Sequence, residues 1–323
     1  MRDKHMAKEY DVLCIGLIVV NLPVRPVNPG VFDRDVNLVD AITMVPGGDA
    51  MNEAIVLSKL GNKVGLIGKI GKDEFGNMLM KQAKGSRVDI SNVKVDENAN
   101  TSVCVVLIDE DGKRNFLSYR GANNLLSVKD IDLSVIPKTR ILNIGSMFAL
   151  PMLDNGGAEI ILREAGKNRV ITAADLKYDS FRIGFEGIKG TLPYIDYLMP
   201  SYDEAEYLTK EKEPAKMADI LQQAGARTVV IKLGKEGCYI QSPTEKLRLY
   251  PYNVEVFDTT GAGDNFVAGF LTGVNKGWSL EKCGMFANAV ASISVQNIGA
   301  TTAVGSMEQV IEFINLHDSV PFI

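Results

Sequence analysis

Short apolar runs alternate with helix-periodic segments along most of the 323 residues, the pattern of a mainly parallel β-sheet covered by helices on both faces. Residues 11–18, 64–70, 140–145, 170–174, 197–199 and 228–232 read as strands. Between them Met51, Ala54, Ile55 and Ser58 share one helical face, with Leu60 nearby and Gly61 as a stop. Residues 74–84 make another helix, ending at Gly85. Cys283, Phe286, Ala287, Val290 and Ile293 recur at helical spacing and predict a buried helix. Two segments break the alternation. Residues 19–46 are rich in Val, Pro and Asn, and 101–119 read as strands 102–108 and 114–119 joined through Asp111-Gly112, a hairpin signal. The expected architecture is a three-layer α/β/α body over 7–18, 47–100 and 120–323, with a discontinuous antiparallel β lid from 19–46 and 101–119.

The histidine count removes much chemistry. Only His5 and His317 exist, one near each end, so serine–histidine triads, histidine general bases and histidine-rich metal sites lose their key group. Cys14, Cys104, Cys238 and Cys283 are scattered without a C-x-x-C pair, which argues against a zinc cluster or a disulfide framework and for a reducing, cytoplasmic compartment. The formal net charge is −5 and no basic block occurs, so a nucleic-acid partner is not expected. The longest apolar run, residues 12–20, is too short to span a bilayer, and no membrane association is expected. The opening residues 1–6 are polar; His5-Met6 reads as a cloning scar or as part of a native frayed terminus.

The most informative stretch is Asp258-Thr259-Thr260-Gly261-Ala262-Gly263-Asp264, which follows an expected strand end at 254–257 and precedes the amphipathic run 266–271. Small residues at a helix start let backbone N–H groups converge on an anion, and the helix dipole adds to the attraction. An Asp there repels phosphate unless it takes a proton from an attacking hydroxyl. The alternative is that Asp258 or Asp264 caps the helix. A second element is Gly47-Gly48-Asp49-Ala50-Met51-Asn52, where paired glycines permit close approach of a ligand and Asn52 offers both donor and acceptor; an ordinary turn before a helix is the alternative. A third, Lys232-Leu233-Gly234-Lys235-Glu236-Gly237, can pass over a nucleotide's phosphates or form a glycine-punctuated hairpin into 238–241. Neither a P-loop G-x-x-x-x-G-K-[ST] nor a G-x-G-x-x-G after the first strand occurs.

Together these elements resemble the ribokinase-like PfkB family of carbohydrate and nucleoside kinases. Residues 258–264 match that family's D-T-[TV]-G-A-G-D signature, and Gly47-Gly48 with Asn52 and Ala54 match its G-G-x-x-x-N-x-A signature. Gly68-Lys69-Ile70-Gly71-Lys72-Asp73-Glu74-Phe75-Gly76 and Gly121-Ala122-Asn123 agree as well, so the resemblance runs from Tyr10 to the last helix. It implies a ribokinase-like fold and ATP-dependent phosphoryl transfer to an alcohol, with Asp264 as general base and the backbone of Gly261, Ala262 and Gly263 as anion hole. It further implies Mg²⁺ carried mainly by nucleotide phosphates and water, with Glu204 of Ser201-Tyr202-Asp203-Glu204 organising the water shell; Ser201 stands where the family has Asn, and Ser201 with Glu204 is also a capping box.

By the same resemblance Ser201, Lys232, Gly234, Gly237, Gly261, Gly263 and Asn288 are nucleotide-binding positions, with Gly299-Ala300 in a loop closing over the adenine. Asp258 and the nearby carbonyls of Thr260, Ser294, Asn297 and Gly299 correspond to a monovalent-cation (K⁺) site whose last ligand, often Ser, is Ala303 here. Asn21, Gly47, Gly48, Asp49, Asn52, Arg120 and Asp264 are the substrate-binding candidates. Asn21 stands where the family often has an Asp for sugar hydroxyls, and Val19 makes the wall more apolar. Asp49 either brings a carboxylate to the pocket or faces solvent at a helix start; Arg120 either meets a polar or anionic substrate or contacts solvent. The expected activity is a sugar or polyol kinase, with a nucleoside kinase or a non-catalytic sugar-sensing relative as alternatives, and a homodimer formed through the lid.

Overall fold

The computed structural model describes residues 8–317 and 322. The 1–6 segment lies outside the described residues, as does Ala7, where the body was expected to begin. In chain order the strands are β1 (Tyr10–Ile15), β2 (Val19–Arg25), β3 (Ala41–Ile42), β4 (Val45–Gly47), β5 (Val64–Gly71), β6 (Val93–Asp96), β7 (Ser102–Ile108) and β8 (Arg114–Tyr119). They continue as β9 (Thr139–Met147), β10 (Ile171–Leu176), β11 (Tyr197–Leu198), β12 (Thr228–Lys232), β13 (Cys238–Gln241) and β14 (Lys246–Leu249). Nine of them form one sheet in the order β14-β13-β12-β11-β10-β9-β1-β5-β6. Its pairings are parallel from β12 to β6, while β13 and β14 fold back antiparallel at one edge.

Both faces of this sheet are covered, so its strands are near-continuous apolar runs whose successive side chains point to opposite faces. Val12, Cys14, Leu66, Ile141, Ala173 and Val230 point to one face, where they pack against α1 (Asp49–Lys59) and α2 (Glu74–Gly85). Leu13, Ile15, Ile67, Leu142, Ala174 and Val229 point to the other, under helices α3 (Pro151–Asp154), α4 (Gly157–Lys167), α5 (Gly184–Ile188), α6 (Tyr202–Thr209) and α7 (Pro214–Gln223). The first face is completed by α8 (Ala262–Asn275), α9 (Leu280–Ser294) and α10 (Met307–His317). Phe270 and Phe286 are fully buried there, and Gly269 permits the close approach of α8 to α9, since a Cβ would meet the Ala287 Cα at 2.9 Å. All four cysteines are free thiols. Among the described residues no helix is long and apolar enough to cross a membrane.

A second sheet, β3-β2-β7-β8 with β4 also on β2, rises from the first. The expected antiparallel flap needs correction: β2 and β7 run parallel, Val19 to Val24 opposite Ser102 to Leu107, while β7–β8, β2–β3 and β2–β4 are antiparallel. The apolar run continues past Gly16 because the chain leaves one sheet there and enters the other. Gly47, expected in the body, belongs to the second sheet opposite Val19. Residues 254–257 are not a strand; Phe257 N–H instead donates to Val295 O, so the segment is held by the end of α9.

Candidate active site

The sheet's strands end at a crevice where α1 and α8 begin, the usual place for a site in an open α/β sheet. Gly48 (φ +88°) turns the chain from β4 into α1, and its missing Cβ lets the backbone lie on the Leu17 carbonyl. Gly261 (φ +73°) does the same before α8, where a Cβ would strike Ala300. Of the first-turn amides of α8, Ala262 N–H donates to Thr259 O at 3.3 Å, while those of Gly263 and Asp264 have no carbonyl one turn back within the helix and are left as donors. Lys232 adds positive charge beneath them: a Cβ on Gly263 would lie 3.5 Å from its Nζ.

Asp264 sits in that first turn but caps nothing. Its carboxylate is buried and Oδ2 accepts from Asn52 Nδ2 at 2.7 Å. Burial and the Asp49 carboxylate push its pKa up to about 6, against the pull of Lys177, Asn52 and Lys232. Asn52 Oδ1 is buried with no partner, an acceptor turned toward nothing in the protein. Asp49 does not face solvent. It is buried at the start of α1, where Oδ1 pairs with Lys177 Nζ at 2.6 Å and Oδ2 accepts from Ser146 Oγ at 3.3 Å. Lys177 keeps 45 % of its side-chain surface open. Burial alone would depress its pKa, yet the Asp49 and Asp264 carboxylates raise it, so it stays charged.

Lys232 Nζ lies 2.5 Å from Asp175 Oδ1. Burial raises the pKa of Asp175 more than Lys232 lowers it, while Lys232 is itself raised by Asp175 and Glu204 in spite of its burial. Below them Glu53 is fully buried, with Oε2 accepting from Asn143 Nδ2 at 2.7 Å and Oε1 unpartnered. Burial and the Asp175, Asp264 and Asp49 carboxylates drive Glu53 strongly toward its protonated form.

The structure thus brings Asp264, Asn52, Asp49, Gly261, Ala262, Gly263 and Lys232 to one crevice. Asn21 lies at its second-sheet wall, packed where a Gly47 side chain would otherwise be. Arg120 does not point into solvent: it donates to Ala149 O and Ser180 Oγ, both at 3.2 Å, and lies 5.8 Å over the Phe181 ring. Ser201 and Glu204 form the capping box of α6, with Ser201 N–H donating to Glu204 Oε2 at 2.7 Å. Gly234 and Gly237 lie in the β12–β13 hairpin, and Asn288 Nδ2 donates to the Tyr250 carbonyl at 3.2 Å.

Asp258, Thr260 and Gly299 form a separate cluster. Asp258 Oδ1 accepts from Thr260 N–H (2.9 Å) and Oγ1 (2.6 Å), and Oδ2 from Gly299 N–H (2.9 Å). Arg114, the first residue of β8, enters this cluster: Nη1 reaches Asp258 Oδ1 at 3.2 Å and bonds Thr260 Oγ1, while Nη2 bonds Thr259 Oγ1. Burial opposes ionisation of Asp258, but the Thr260 and Gly299 hydrogen bonds and the Arg114 guanidinium hold its pKa below the usual carboxylate range. Ser294 Oγ is turned to Ala291 O (2.8 Å) and Asn297 is exposed. Sequence reasoning missed Lys177, Asp175 and Arg114, lone charges with no local motif to mark them, and Glu53, an unspecified position of the motif between Asn52 and Ala54. A groove of about 600 Å³ lined by Arg169, Tyr197 and Arg227 opens at the opposite end of the strands, away from all these groups. No cluster of three or more potential metal-ligating side chains occurs among the described residues.

Comparison with known proteins bears on the family and the fold. Residues 10–306 match the family described as pfkB family carbohydrate kinase. The chain is 31% identical to a probable fructokinase-5 of Arabidopsis thaliana over 276 residues, covering 80% of this chain and 85% of that one. Its fold is that of Arabidopsis thaliana ribokinase complexed with ribose and ATP (TM-score 0.82, 23% identity, 96% and 99% of the two chains). It is also that of a putative ribokinase II from E. coli in complex with ATP and Mg²⁺ (TM-score 0.82, 22% identity, 97% and 100%).

Proposed function

Since the chain belongs to the pfkB family of carbohydrate kinases, we propose that it transfers the γ-phosphoryl group of ATP to a hydroxyl of a small sugar or polyol, with Asp264 as the base. The observation that carries this is a buried carboxylate, held by Asn52 at 2.7 Å, in the amide-rich first turn of α8. The acceptor hydroxyl gives its proton to Asp264 as its oxygen attacks phosphorus. Backbone amides of residues 261–263 and the Lys232 ammonium stabilise the charge on the migrating phosphoryl group.

Asn52 Oδ1 accepts from an acceptor hydroxyl and so gains the partner it lacks in the protein. Asp49 accepts from, and Lys177 donates to, further hydroxyls, while Asn21, Gly47, Gly48 and Arg120 form the surrounding wall. Ser201, Gly234, Gly237 and Asn288 border the nucleotide. ATP would arrive with Mg²⁺, which would supply charge neutralisation at the phosphates; no described group of carboxylates is set to hold a metal by itself, which suits an ion carried on phosphate and water, with Glu204 to organise that water. The second sheet acts as a lid that excludes water. It exposes Ile42, Phe116 and Leu117, and the connection from β2 to β3 exposes Phe32 and Leu38, which supports a homodimer through that sheet, testable by sedimentation equilibrium.

The direct test is ADP release with a panel of sugars, polyols and nucleosides. Turnover with a sugar or polyol is expected. Turnover confined to nucleosides would move the acceptor class, and nucleotide binding without turnover on any acceptor would sink the kinase reading.

A further inference from the structure

The residues that correspond to a monovalent-cation site already hold a positive charge. Such an ion needs oxygen lone pairs free of hydrogen-bond donors, and with Arg114 in place three donors crowd Asp258 Oδ1 while Oδ2 accepts from Gly299 N–H. The Gly299 carbonyl accepts from Thr302 Oγ1 at 3.1 Å, and Ala303 offers only a methyl group at the position of the last ligand. A positive charge is already in place. The Arg114 guanidinium, permanently charged, pairs with Asp258 and bonds Thr259 and Thr260 with its side chain only 24 % exposed.

We infer that Arg114 takes the place of a monovalent cation and ties the second sheet to the turn that builds the anion hole. The geometry gives this tie a direction. Arg114 opens β8, just after the 109–113 hairpin, whereas Asp258, Thr259 and Thr260 immediately precede Gly261 at the N-terminus of α8. When the second sheet closes on the crevice, the guanidinium fixes the Asp258–Thr260 turn and so the aim of the amides that follow it. When the sheet swings away, the turn loses its counter-charge. Arg114 is a positioning residue acting through the 258–260 turn.

The inference rests on the kinase reading for its rate measurement but has a second readout that does not. Wild-type turnover and melting temperature should be the same, within about twofold and about 1 °C, in buffers containing K⁺, Na⁺ or only N-methyl-D-glucamine. Arg114→Ala should lower kcat about 100-fold, and K⁺ or methylguanidinium should restore about tenfold of that loss. K⁺ should also raise the melting temperature of Arg114→Ala while leaving the wild type unmoved, and Arg114→Lys should retain more kcat than Arg114→Ala. A K⁺-dependent wild type, an Arg114→Ala variant with full kcat, or a loss seen only as a raised KM for ATP with no cation rescue would each overturn the inference. A wild type inactive on every acceptor would instead remove the kinase reading, and the melting experiment would still decide the role of Arg114.

Discussion

Asn52 Nδ2 and Asp264 Oδ2 meet at 2.7 Å although 212 positions separate them in the chain. The hydrogen bond joins the first turns of α1 and α8, and it fixes the carboxylate at the mouth of the amide-lined turn. It also opposes part of the penalty of burying that charge.

With Asp264 as the proposed base, its raised pKa should set the acid limb of activity. A base must be ionised, so kcat/KM should be constant well above pH 6 and fall tenfold per unit as pH drops through about 6. Asn52→Leu removes a donor to the ionised form and should move that limb upward by about one unit. A pH–rate profile of both proteins checks it; an unmoved limb would detach Asn52 from Asp264.

Asp264→Asn should lower kcat by at least about 10³-fold with nucleotide affinity nearly intact. It should also stabilise the protein. A carboxyl whose pKa is higher folded than unfolded penalises the folded state when ionised, so the cost is full above pH 6 and fades as pH falls toward 4. The gain in urea unfolding free energy should be on the order of 2 kcal/mol at pH 8 and smaller at pH 5. Equal stability of the two proteins at both pH values would contradict the penalty.

Lys177→Met leaves the Asp49 carboxylate buried and unpaired. Because Lys177 is itself 45 % open to solvent, the loss should be on the order of 1–3 kcal/mol rather than that of a fully enclosed pair. Combining it with Asp49→Asn should recover most of the stability but not the affinity for the acceptor. Denaturant unfolding and acceptor KM on the single and double variants separate the two effects; recovery of both would leave the pair purely structural.

Gly261→Ala places a Cβ against Ala300 at φ +73°. The expected cost is on the order of 1–3 kcal/mol, with kcat reduced because the following amides shift. Ala262→Ser, at an ordinary helix position, should do neither. Thermal melts and kcat for the pair check the contrast.

What could be read in the sequence was whatever is encoded locally. The sheet–helix alternation, the 111–112 hairpin, the Ser201–Glu204 capping box and the two glycine turns each depend on residues within a few positions of one another, and each formed. The 254–257 run misled because its apolar residues attach to α9 rather than to a strand neighbour. Pairing between distant segments has no such local mark. The parallel match of β2 to β7 spans some 80 residues, and either orientation would satisfy the same alternation.

The charges followed the same division. Asp264 and Asn52 announce themselves through glycine-rich neighbours, and so the chain alone determined where the glycine turn before α8 lies and which carboxylate stands in it. Lys177, Asp175 and Arg114 are single ionisable residues in unremarkable surroundings, Glu53 is an unspecified position beside Asn52, and only tertiary packing decided that they converge on that turn. The physical reason is that a charge acquires its role from burial and from its partners across space, and neither exists until the sheet, the helices and the second sheet have closed around it.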